Sequence, residues 1–186
     1  MDKQQLTTFK LLFTAVISIT IWGMLIWQFN HEGVPSHYLF QNPELPELSN
    51  WWGGLILPAL SWFTLSRIQK TLLSLPNEHA VQHAKKVAIQ FIIALAYGAM
   101  LSYAFVHGYK SFTSVMFPAI LAFALFFKVY KEEFILGFVL SMSITFGAIL
   151  PMMFGIIIAV ASFIVHAIAQ FIWRSVKSLT TKKQLN

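Results

Sequence analysis

From Phe134 to Trp173 the chain runs 40 residues without one Asp, Glu, Lys or Arg. A single straight helix of that length would reach about 60 Å, twice the ~30 Å hydrocarbon thickness of a bilayer. The run must therefore fold back on itself. Gly147, Pro151 and Gly155 cluster near its middle and supply helix-breaking chemistry. The expectation is two membrane spans, 134–150 and 152–173, with the break at this cluster.

Four further charge-poor apolar stretches precede it, at about 11–29, 51–70, 87–106 and 113–130. Six spans of ~20 residues consume most of the 186-residue chain and leave no room for a separate soluble domain. The fold class expected is all-α: a polytopic membrane protein with six transmembrane helices in one bundle, a single domain over 1–186. Composition agrees: 57% of residues are hydrophobic, 16% aromatic and 11% charged, and the mean hydropathy is +0.67. Soluble domains carry about 45–50% apolar and about 25% charged residues, so a soluble enzyme, a disordered segment and a coiled coil are excluded. The first apolar stretch follows Lys3 and Lys10 as a signal peptide would. No small-residue cleavage site follows it, and it is read as a permanent span.

Lys and Arg set the orientation. With the N-terminus inside, Lys3, Lys10, Arg67, Lys70, Lys85, Lys86, Lys128, Lys131, Arg174, Lys177, Lys182 and Lys183 all lie on the cytoplasmic side. Lys110 alone lies outside, out of 13 basic residues. The topology is thus N-in/C-in; a re-entrant pair in place of the last two spans leaves the same charges inside. The net charge of +6 is explained by residues anchoring helix ends at anionic headgroups, so the partner it implies is the lipid bilayer, not nucleic acid. The setting this suggests is a bacterial inner membrane.

Polar residues recur at helical spacing inside the spans. Gly155, Ala159, Ser162, His166 and Gln170 share one face of span six. Span three offers Gln90, Ala94, Gly98 and Ser102, with Tyr97 adjacent, and span five offers Gly137, Ser141 and Thr145. Small residues let helices approach closely and polar ones bond across the gap. Gln90, Tyr97, Ser102, Ser141, Thr145, Ser162, His166 and Gln170 are therefore the expected bundle interior, as structural glue or as the lining of a solute path.

The outer loop 30–50 reads NHEGVPSHYLFQNPELPELSN and holds His31, Glu32, His37 and Glu44; His107 lies on the same side. Imidazoles beside carboxylates suit a divalent metal, and these five are the ligands to suspect. The spacing HExxxxH is not the HExxH of a zinc protease, so the alternative is a Pro-stiffened cap over the bundle mouth; no cofactor is expected. The pair His79 and His83 lacks a third ligand and reads as a solvated turn entering span three.

Absences narrow the function. The spans carry no deep carboxylate, Lys or Arg for proton pumping or voltage sensing. The absence of cysteine rules out disulfides and thiolate-held metals. An intramembrane serine protease needs its nucleophile in a Gly-x-Ser turn, and Ser141 and Ser143 in LSMSITFG lack that glycine. The leading expectation is a channel or transporter for a small solute or ion, in a bundle small enough to form homo-oligomers. The alternatives are a non-catalytic accessory subunit binding a partner or lipid, and a membrane-embedded enzyme using His166 or the outer His/Glu cluster.

Overall fold

A computed structural model describes residues 2–38, 44, 46–126 and 128–183; for His37, 117–118, 121, 124–126 and 175–183 it describes the backbone alone. Among the described residues the helices are α1 (Lys3–His31), α2 (Gly53–Ser74), α3 (Asn77–Val106), α4 (Lys110–Phe126), α5 (Glu132–Phe146) and α6 (Ile149–Lys183). Between α1 and α2 lie strands β1 (Ser36–Tyr38) and β2 (Glu47–Ser49) and a 3-10 turn, Asn50–Trp52. Three helical stretches are long and apolar enough to cross a membrane: Lys3–His31, Asn77–Val106 and Ile149–Arg174. The other helices are shorter or carry more charge. Helix α5, with 15 residues, extends only about 22 Å.

The helix ends follow local chemistry. Asp2 caps α1, its carboxylate accepting from the Gln4 N–H at 3.3 Å. Leu75 is extended before Pro76, and α3 starts directly after that proline. The fold-back of the long apolar run is confined to Gly147 and Ala148. This corrects the broader break expected from Gly147, Pro151 and Gly155. Gly147 adopts φ 70°, ψ 176°, a region open essentially to glycine. Pro151 is the third residue of α6, where its missing N–H has no helical acceptor to lose. Gly155 lies inside α6, and its role is packing.

Helix α5 is the hub. It packs most extensively on α3, and also on α6 and α2; α1 lies on α2, and α4 lies on α6 and α3. The α3–α5 seam is closed by glycines. A Cβ on Gly137 would fall 2.5 Å from the Phe91 carbonyl oxygen, and one on Gly98 would fall 2.1 Å from Ser141 Oγ. At Gly137 only hydrogen fits, so the two backbones nearly touch there, and at Gly98 the Ser141 side chain takes the space of a Cβ. The core around the seam comprises Ile21, Leu25, Leu57, Leu101, Phe138, Val139, Met142 and Ala148.

The helix ends sort into two groups. At one end Lys10 Nζ donates to Ser66 Oγ (3.3 Å), Gln69 Nε2 donates to Thr7 Oγ1 (2.8 Å), and Arg67 pairs with Glu132 (3.1 Å). This is the basic end. At the other, β1 and β2 pair antiparallel with Ser36 opposite Ser49, His37 opposite Leu48 and Tyr38 opposite Glu47. The Asn50 N–H donates to the Pro35 carbonyl (3.0 Å). The Asn50 side chain is buried in the space a Cβ on Gly147 would take. The hairpin is thus keyed to the α5–α6 turn. Trp22 and Phe29 pack beside Trp51 at this end, with ring centroids 6.1 and 6.0 Å away.

Candidate functional site

An apolar cavity of about 570 Å³ lies between α3, α4, α5 and α6. Its polar wall residues are Gln82, Lys85, Lys86, Gln90 and Tyr97, all from α3. Gln82, Lys86, Gln90 and Tyr97 follow one another at spacings of 4, 4 and 7, which keeps them on one helix face. From Gln82 to Tyr97 the rise is about 22 Å. The remaining wall is apolar, including Ile120 and Phe123 of α4, Phe134, Ile135 and Phe138 of α5, and Ile158 of α6. The cavity is therefore a slot, charged at one end and greasy along its length. Lys85 and Lys86 are exposed at its mouth, and among the described residues neither makes an ion pair. Gln90 is half-buried, with Oε1 shielded from solvent and lacking a hydrogen-bond partner. Deeper in, the Tyr97 hydroxyl donates to the Met116 carbonyl and ties α3 to α4.

A second cavity, about 450 Å³, lies between α1, α2, α3 and α5. Phe9, Phe13, Phe91 and Leu136 line it, with Lys10, Gln69 and Glu133. Glu133 is only 3% exposed, although no buried carboxylate was expected from the sequence. Its Oε1 stands 3.6 Å from Lys131 Nζ, beyond hydrogen-bond length. Glu132 and Glu133 are consecutive on α5, about 100° apart; Glu132 faces Arg67 and Glu133 lies on the packed side, a division that the sequence of this segment does not announce. Lys10 leaves this cavity for the Trp62 ring, its Nζ 4.1 Å from the centroid.

Of the residues singled out from the sequence, Gln90 and Tyr97 line the slot. Ser102 and Ser162 are buried, and the hydroxyl of each lacks a partner. Ser141 sits at the α3–α5 seam and donates to the Phe138 carbonyl (3.0 Å). Thr145 is exposed. His166 is half-buried, its ring 6.0 Å from that of Tyr130, and its Nδ1 is buried without a partner. Gln170 is exposed, within the stretch 167–174 of α6 that is exposed throughout. The lysine pair at the slot mouth was read from sequence only as a membrane anchor; its place beside an apolar cavity depends on how α4 and α6 close over α3.

At the hairpin end, His31 Nδ1 donates to the Trp27 carbonyl (2.8 Å) and the ring stacks on Trp27 at 4.5 Å. His107 repeats the pattern, donating to the Tyr103 carbonyl (2.9 Å) with its ring 4.0 Å from that of Tyr103. Each imidazole is thus engaged by its own helix. Glu32 is the exposed C-cap of α1, Glu44 is exposed, and the backbone of His37 pairs with Leu48. Among the described residues no three His, Asp or Glu gather into a metal-binding group; the loop residues 39–43 and 45 lie outside the description. Comparison with protein-family models, with curated proteins and with solved structures finds no match for this chain.

Proposed function

We propose that this chain is a six-span inner-membrane protein with both termini cytoplasmic, and that its bundle binds an amphiphile instead of conducting ions. The orientation is supported by the distribution of Lys and Arg, which leaves Lys110 alone outside. The binding reading is carried by one observation: an apolar slot of about 570 Å³ with lysines at one end. Cavities of roughly 300–1,000 Å³ hold ligands of drug size. An ion entering between Ile93, Phe134 and Phe138 would lose its water and gain no polar partners there, a cost of tens of kcal/mol for an isolated charge. An acyl chain loses nothing in the same place. Among the functions the sequence suggested, an accessory protein that holds a lipid thus moves ahead of a channel.

Solute passage remains a second reading, favoured by the unpaired buried hydroxyls of Ser61, Ser102 and Ser162 on three helices. Photo-crosslinking separates the two. A stearic acid carrying a mid-chain diazirine, added to the purified protein in nanodiscs, is expected to label Ile93, Phe134 and Ile158, with labelling suppressed by excess unlabelled lipid. Ile158→Trp, which fills the slot, should abolish that labelling. Labelling spread evenly over the exposed helix faces, together with solute flux through protein in liposomes, would favour the second reading and overturn the first.

A further inference from the structure

The slot's polar groups are ordered by depth, and that order identifies a ligand class. We infer that the ligand is a single-chain anionic lipid with a free hydroxyl next to its charged group, a lysophospholipid carrying a phosphate monoester or diester. The inference rests on the binding reading above and refines it.

At the mouth, Lys85 and Lys86 offer two ammonium groups, unpaired among the described residues. Of the nearby carboxylates, Glu132 is paired with Arg67 and Glu133 lies beside Lys131, while Glu78, exposed two helical turns before Lys85, makes no ion pair with either lysine among the described residues. An anion is therefore the complementary headgroup, and the negative cytoplasmic leaflet is where such lysines meet one. One helical turn deeper, about 6 Å along the axis, Gln90 Oε1 is buried and accepts from nothing. A buried acceptor needs a donor, and a hydroxyl supplies it. Beyond Gln90 the wall is apolar as far as Tyr97, whose hydroxyl is already used on Met116, so that stretch takes hydrocarbon. A lysophospholipid presents these three features in this order: phosphate, free glycerol hydroxyl on the neighbouring carbon, one acyl chain. A diacyl lipid carries an ester at the hydroxyl position. It has no proton to give, so it can accept from the Gln90 amide N–H but leaves Oε1 without a donor. A free fatty acid has the anion and the chain but no hydroxyl. A monoacylglycerol has the hydroxyl and the chain but no charge.

The test is competition against the diazirine stearate probe in nanodiscs of neutral lipid, with 1-oleoyl lysophosphatidate, dioleoyl phosphatidate, oleate and mono-olein as competitors. Lysophosphatidate is expected to displace the probe at about tenfold lower concentration than mono-olein, the effect of one charge-assisted hydrogen bond. It should lead dioleoyl phosphatidate and oleate by about fivefold, the effect of one neutral bond. Lys85→Gln with Lys86→Gln should erase the first advantage and leave the second. Gln90→Leu should do the reverse. Both changes lie on the cavity wall outside the α3–α5 seam, and each variant's elution as a monodisperse species establishes that it is folded. If the slot is labelled but all four competitors act alike, this inference falls and the binding reading stands. If the slot is not labelled at all, both fall.

Discussion

Gly137→Ala tests whether α5 is held against α3 by backbone contact. The added Cβ would lie 2.5 Å from the Phe91 carbonyl oxygen and 3.1 Å from both Ala94 Cβ and the Leu95 nitrogen. Ordinary contact begins at 3.4 Å, so the deficit against Phe91 is 3.4 − 2.5 = 0.9 Å. Two of the three atoms are helix backbone and cannot swing aside, so α5 must back away from α3. A gap of about 0.5–1 Å forfeits a quarter to a half of each dispersion contact it opens, and this seam is the most extensive helix pair in the bundle. Overpacking of this kind costs about 1–3 kcal/mol, and rigid opposing atoms place it in the upper part of that range, about 2–3 kcal/mol. The control is Gly23→Ala, where a Cβ meets nothing within 4 Å. Both alanines gain the same helix propensity, roughly 0.5–1 kcal/mol, so the difference between the variants isolates the steric term. Denaturant titration in dodecylmaltoside micelles, followed by tryptophan fluorescence, reads it. A Gly137→Ala protein within about 0.5 kcal/mol of Gly23→Ala would refute the seam.

The same seam gives a rescue experiment. A Cβ on Gly98 meets Ser141 Oγ at 2.1 Å, the end of a rotatable side chain, so Gly98→Ala should cost less, about 1–2 kcal/mol, and adding Ser141→Ala should restore at least half. Gly147→Ala carries two penalties: backbone strain at φ 70°, about 1–3 kcal/mol, and collision with Asn50 Oδ1 at 1.9 Å. Adding Asn50→Ala should relieve the collision and leave the strain, which thermal denaturation of the two variants will separate. Tyr97→Phe should cost about 0.5–1.5 kcal/mol by releasing α4 from α3, and should raise protease cutting in the α4–α5 connection. For topology, the chain has no native cysteine, so single cysteines at Ser36, Asn77 and Thr181 report cleanly. An impermeant maleimide on intact cells or spheroplasts should label the first alone, and labelling at Thr181 would overturn the orientation.

The helices themselves were legible in the sequence because long apolar, charge-poor stretches are written in bulk composition, and three of them are long and apolar enough to cross a membrane. A 40-residue uncharged run is too long for one straight span, and the structure does divide it into α5 and α6. The close-packing stripe was also legible: Ala94, Gly98, Gly137 and Ser141 stand at helical spacing, and they do meet at the α3–α5 seam. What the sequence left open was position across the bundle. Periodicity says which residues share a face and not which helix that face meets, so the central place of the short α5 is decided only by packing. The turn shows the same limit. Three breakers stood within nine residues, and only the fold decides that Gly147 bends the chain while Pro151 is absorbed in a helix's first turn. Burial of Glu133 and the slot beneath Lys85 and Lys86 belong to the same class. They arise where several helices close on one another, and no single segment encodes the space between them.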